Sequence, residues 1–172
     1  MRFRGSLALV VLGALFALVP ARADEETTRA LAALKAVTKE GKGNEDAGAA
    51  WKAVVGKGGA ALLPTLDAFS DDNATAANWL RAAVDAIAEA EKAAGRKLPA
   101  DQLEAFIKDT TRSATARHLA YELLVAQDAG TKAKLLPGFL NDKSPDLRRD
   151  AIGFQLDKLE KLQPAAAKAE LE

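Results

Sequence analysis

One stretch of this chain repeats itself, and that self-similarity limits what the chain can fold into more than any single residue does. Phe139-Leu140-Asn141-Asp142 leads through Lys143 into Ser144-Pro145-Asp146-Leu147-Arg148-Arg149-Asp150-Ala151-Ile152. Phe106-Ile107-Lys108-Asp109 leads through a longer turn into Ser113-Ala114-Thr115-Ala116-Arg117-His118-Leu119-Ala120-Tyr121. An earlier copy sets Leu66 and Phe69 before the turn and Leu80-Arg81-Ala82-Ala83-Val84 after it. The matching arginines, Arg81, Arg117 and Arg148, are 36 and 31 residues apart. Leu62-Leu63-Pro64 and Leu135-Leu136-Pro137 also correspond ahead of the turn. A period of this length marks a stack in which each unit borrows part of its core from its neighbours.

The unit is helical. Alanine is abundant, aromatic residues make up only 5%, and the β-branched and aromatic residues that favour strands are sparse. Apolar residues recur at helical steps: Leu31, Leu34 and Val37; Leu62, Leu66 and Phe69; Leu80, Val84 and Ile87. The expected helices are 25–40, 45–55, 60–69, 74–94, one after Pro99, 113–127, 132–141 and 145–162. Pro164 opens a last Ala-rich segment. Gly41 to Asn44, Gly56 to Gly59, Ser70 to Asn73 and Gly95 provide the breaks, and Pro99 suits a first helical turn.

The first 23 residues read as an address. Arg2 and Arg4 precede an apolar run from Leu7 to Val19, and Pro20 is followed by Ala21-Arg22-Ala23. This is the order of a cleaved Sec-type signal peptide. The run is shorter than the roughly 20 residues that a spanning helix needs. The expected mature chain, 24–172, is a single domain that carries 21 basic and 24 acidic residues and no cysteine. The expected location is periplasmic or extracellular, with no stable membrane insertion after cleavage.

With its helix pairs, its turn aspartates and an arginine early in each second helix, the chain resembles the HEAT-repeat family, in particular the short type named after bilin-lyase subunits. Asp142 and Arg148 match the family's spacing. Asp109 with Arg117, and Asp71 or Asp72 with Arg81, match it once two to four turn residues are inserted. The resemblance covers 60–162 and extends back towards residue 25; its period is shorter than the ~40–47 residues of full-length HEAT repeats. It implies an all-α, armadillo-type α-solenoid of stacked antiparallel helix pairs, clearest at 60–94, 99–127 and 131–162. It also implies that Arg81, Asp109, Arg117, Asp142 and Arg148 form a structural ladder between repeats, without a catalytic role. A guanidinium forks across carboxylates and turn carbonyls, which such junctions supply.

Catalytic equipment is sparse. His118 is the only histidine, and a zinc site needs three or four ligands. It aligns with Arg149, which places it on a solvated face. Gly56-Lys57-Gly58-Gly59 lacks phosphate-loop spacing and reads as a flexible connection. Asp71-Asp72-Asn73 lacks the glycine and the glutamate of a calcium loop and reads as a helix cap. Asn73-Ala74-Thr75 fits a glycosylation triplet, which short sequences match by chance. Trp51 and Trp79 read as plugs between helices and not as exposed platforms. Twenty-four basic residues balance 24 acidic ones, which argues against a nucleic-acid partner.

The expected function is therefore binding or scaffolding of a protein or peptide, without enzyme activity, metal or cofactor. Two alternatives stand beside it. One is a fragment or adaptor region of a larger exported protein. The other is a hydrolase or lyase, conceivable from the bilin-lyase namesake alone.

Overall fold

The computed structural model describes residues 24–169, with side chains described to Lys161. The expected leader, 1–23, lies outside the described residues. Eight α-helices follow one another with no strand among the described residues: α1 (Glu25–Lys35), α2 (Asn44–Gly56), α3 (Leu62–Asp67), α4 (Ala74–Ala93), α5 (Ala100–Lys108), α6 (Ala114–Gln127), α7 (Thr131–Leu135) and α8 (Pro145–Ala169). The protein is all-α.

Helix ends follow local chemistry. Asp24 accepts from the Thr27 N–H at 2.7 Å and starts α1; Asn73 accepts from Ala76 at 3.0 Å and starts α4. Ser113 does the same for α6, through Ala116 at 3.2 Å. Gly95, at φ +69°, closes α4 in the left-handed conformation that glycine tolerates, and the Gly95 and Arg96 N–H groups return to Lys92 and Glu91 carbonyls.

Four boundaries differ from the sequence reading. α1 stops at Lys35 instead of Glu40, because Thr38 and Lys42 close a turn through left-handed Gly41, and left-handed Gly43 then leads into α2. The segment 60–69 divides into a 3-10 turn (Gly58–Ala61) and the six-residue α3, in which Pro64 falls in the first turn, where its missing N–H costs nothing. The segment 132–141 divides too, into α7 and a 3-10 turn (Leu136–Phe139) around Pro137. Pro164 opens no new element; α8 continues through it to Ala169.

Packing follows chain order. α1 lies on α2, both touch α4, and α3 with its leading 3-10 turn packs on α4. α5 lies on α6, α3 also reaches α6, and α6 packs on α7 and α8. A continuous core runs through these contacts, with Leu34, Val54, Leu62, Leu66, Leu80, Ile87, Leu103, Ile107, Leu119 and Leu147 essentially removed from solvent. Each such side chain contributes about 1.5–3 kcal/mol through its burial. Trp51 and Trp79 are half-buried and pack against this core, not exposed as platforms. The Trp51 indole N–H is enclosed without a partner.

Candidate functional site

The most elaborate side-chain chemistry lies where α6 meets α8. At its base Arg117, 1% exposed, donates to both Asp142 carboxylate oxygens at 2.8 and 2.6 Å and to the Ile107 carbonyl at 2.6 Å. Desolvation pushes the Asp142 carboxyl up. Hydrogen bonds from Arg117 and the Ser144 N–H, with the charges of Arg117 and Arg148, more than reverse that and hold it below the usual carboxylate range. One guanidinium thus ties the end of α5, the body of α6 and the turn before α8.

Of the other residues assigned to a ladder, Arg148 donates to the Asp142 and Lys143 carbonyls, so it closes its own turn and also touches the residue that Arg117 holds. Arg81 reaches Glu122 of α6 at 2.8 Å, not Asp71 or Asp72. Asp109 does not meet Arg117. Its carboxylate accepts from the Thr111 hydroxyl and N–H and from Arg112, which lower its pKa to about 2. Arg112 also pairs with Asp67 of α3 and lies 5.0 Å over the Phe106 ring.

Two polar bridges went unread in the sequence. Asp71 accepts from the Ser113 hydroxyl at 2.6 Å and from the Ala114 and Thr115 N–H groups, so it caps α6 from the turn before α4. The Asn73 amide donates to the Lys35 and Val37 carbonyls at 3.3 and 2.9 Å, and so binds the end of α1 while capping α4. That same nitrogen is the one a glycan would occupy.

Gly56 to Gly59 is not a flexible connection. Glu91 accepts from the Gly59 N–H at 2.9 Å and from Arg96 at 2.6 and 2.9 Å. A Cβ at Gly58 or Gly59 would meet the Glu91 carboxylate at 3.0 and 3.2 Å. The glycines are there because a buried carboxylate lies against their backbone, and only the fold discloses it.

Next to Arg117 on α6, His118 is 13% exposed, not on a solvated face as its alignment with Arg149 suggested. Its Nε2 lies 2.9 Å from Asp150 and its Nδ1 3.9 Å from Glu122. Nε2 is thus engaged by Asp150, while Nδ1 lies beyond hydrogen-bond distance of Glu122. Among the described residues, no group of three or more His, Asp or Glu is placed to hold a metal ion.

Above His118 the helices part into a cleft of about 650 Å³. Tyr121, Val125, Leu136 and Phe154 give it an apolar lining, and Glu122, Lys132, Arg149, Asp150 and Asp157 add charge. Tyr121 is buried, and desolvation with the nearby Asp150 charge pushes its phenol up to about 12, so it stays neutral. Nothing in the sequence signals this cleft, since it is the space between three helices and not a run of residues.

On its outer side α8 exposes Ile152, Leu156 and Leu159, spaced at four and three residues, each about half-exposed. No helix among the described residues is long and apolar enough to cross a membrane. The chain matches no family model, no curated protein and no solved structure.

Proposed function

We propose that this protein is a non-catalytic, HEAT-like α-solenoid that binds a protein or peptide outside the cytoplasm. The observation that carries the reading is the relation of α6 to α8. Contacts advance in the same direction along both helices: Arg117 with Asp142, His118 with Asp150, then Tyr121 and Val125 beside Phe154 and Asp157 across one cleft. Parallel second helices, each preceded by a shorter partner, are what a translated repeat generates. The polar bridges from Asp71, Asn73 and Asp142 fall at successive unit junctions, as stacking requires.

Export rests on the leader pattern, and N-terminal sequencing of the released form tests it, with Asp24 as the expected first residue. The binding reading is tested by affinity capture with the mature chain from an extracytoplasmic extract. One reproducible partner, lost when charges on the α6–α8 face are reversed, supports it. Capture unaffected by every such variant overturns the choice of face, and repeated absence of any partner overturns the reading.

The adaptor alternative has one observation of its own. The outer stripe of α8 is apolar, whereas the free end of a finished stack ordinarily carries a polar face. A further helix laid on that stripe, in a longer product or a partner, would complete it.

A further inference from the structure

We infer that the outer side of α8 docks a separate protein through an amphipathic helix whose leading turn carries a carboxylate. The inference rests on the stacked-repeat reading above and names the chemistry of what completes the last unit. Its ground is a comparison of α8 with α6. Arg117, Tyr121 and Val125 of α6 correspond in register to Arg148, Ile152 and Leu156 of α8, each 31 residues further on. With α8 packed on α6, Tyr121 is 4% exposed and Val125 lies against the core. The principal contacts of α8 are with α6 and the 3-10 turn before it. On its other side Ile152 is 49% and Leu156 55% exposed. Equivalent positions are covered where a further unit follows and bare where none does.

The arginines make the same comparison in charge. Arg117 uses Nε on the Ile107 carbonyl of its own unit and both terminal nitrogens on Asp142, the turn residue of the unit that follows. Arg148 donates through Nη1 alone, to the Asp142 and Lys143 carbonyls of its own turn, and has no carboxylate partner among the described residues. Its Nε and Nη2 remain for a carboxylate delivered by the next element, which a guanidinium takes in a fork. By the example of Asp142, that carboxylate belongs in the turn that leads into the covering helix. The stripe from Ile152 to Leu159 runs about 10 Å along α8, the length of two turns of a helix laid on it.

A second copy of this chain fits less well. Among the described residues, the exposed large apolar side chains are Leu140, Ile152, Leu156 and Leu159, all on the last unit, so the α1 end offers the stripe no apolar match. Two α8 stripes could meet, but the turn carboxylate each would bring, Asp142, is already held by Arg117.

The test titrates the isotopically labelled full chain with a capped peptide of residues 138–158, the turn and helix that α6 already accepts. The peptide should shift the backbone amides of Ile152, Leu156 and Leu159 saturably. It should bind at least fivefold more tightly than its Asp142→Asn version. Arg148→Lys in the protein keeps the charge but loses the fork, and should remove that preference. Leu156→Gln, a change at an exposed position, should weaken binding at least tenfold with the thermal midpoint unchanged. Equal affinity for the two peptides, or shifts that avoid α8, would overturn the inference. So would a dimer of the full chain that Leu156→Gln dissolves, or a released form in which chain beyond residue 172 already covers the stripe. The binding reading fails separately: a macromolecular partner still captured by Leu156→Gln keeps that reading and removes this surface, whereas peptide binding at α8 with no macromolecule captured keeps the surface and removes the scaffold.

Discussion

Replacing Arg117 by methionine tests the most deeply enclosed ionic contact in the described structure. The side chains of Arg117 and Asp142 are 1% and 6% exposed, so the substitution strands a carboxylate that solvent barely reaches. It also leaves the Ile107 carbonyl without its donor. Breaking a buried pair from one side costs about 3–5 kcal/mol, because the remaining charge keeps its desolvation penalty and loses its compensation. Domains of this size are stable by roughly 5–15 kcal/mol, so the loss is about a fifth of the total or more. With a urea dependence of about 1–3 kcal/mol per molar, the unfolding midpoint should fall by roughly 1–5 M, read by far-UV circular dichroism.

The pH dependence gives an internal control. In the wild type the folded-state pKa of Asp142 lies below its ordinary 3.8. Its stabilising contribution is therefore present above about pH 4 and is lost as pH falls through the lowered folded value. In Arg117→Met desolvation acts with less opposition, and the folded-state pKa rises. The gap between wild type and variant should be widest at neutral pH and narrow in acid. Adding Asp142→Asn to Arg117→Met should recover much of the loss. A midpoint within 0.5 M of wild type at pH 7 would refute the argument that this pair is buried and uncompensated when broken.

Other substitutions separate the remaining contacts. Asn73→Ala removes the α4 cap and two bonds to the end of α1, and should cost about 1–2 kcal/mol in thermal unfolding; an effect below 0.3 kcal/mol would mean the bridge contributes nothing. Gly58→Ala forces a side chain into φ +59° against Glu91 and should cost about 1–2 kcal/mol, whereas Gly153→Ala should gain up to about 1 kcal/mol. Leu156→Gln, on the open side of α8, should leave the midpoint within about 0.5 kcal/mol of wild type. A large loss there would mean that something already covers the stripe. Asp109, held at about 2, contributes above about pH 4 and loses that contribution as pH drops towards 2, so Asp109→Asn should flatten the acid limb of a stability–pH curve.

The helices were legible because their cause is local. Leu80, Val84 and Ile87 repeat at helical steps, Asn73 and Ser113 are caps by residue type, and Gly95 is a stop by residue type. The division of 60–69 and 132–141 was less so: Pro64 and Pro137 were visible, but proline in a first turn and proline at an α to 3-10 change look alike in sequence. Side-chain partners were harder still. Arg117 has Asp109 eight residues before it and Asp142 twenty-five after it, and the choice depends on how the next unit is set down. The sequence likewise hid the role of Gly58 and Gly59, since Glu91 arrives from 32 residues away. His118 and Arg149 align as letters, yet one faces a neighbouring helix and the other solvent. The cleft depends on the spacing between helices, which composition does not encode.

The chain-order packing described above also sets how the molecule assembles. α1 makes its principal contacts with α2 and α4, and α8 makes its own with α6 and the 3-10 turn just before it. Among the described residues, no principal contact joins α1 to α8. Each closure therefore spans a few tens of residues, such as Asn73 to Val37 or Arg117 to Asp142. Chains whose contacts are this local fold in microseconds to milliseconds, because little loop entropy is lost before packing repays it. The first four helices have most of their packing partners once about the first hundred residues are available, and α6 then adds its contacts to α3 and α4. An emerging chain can thus bury its early apolar faces in order, with no early segment waiting on the last one.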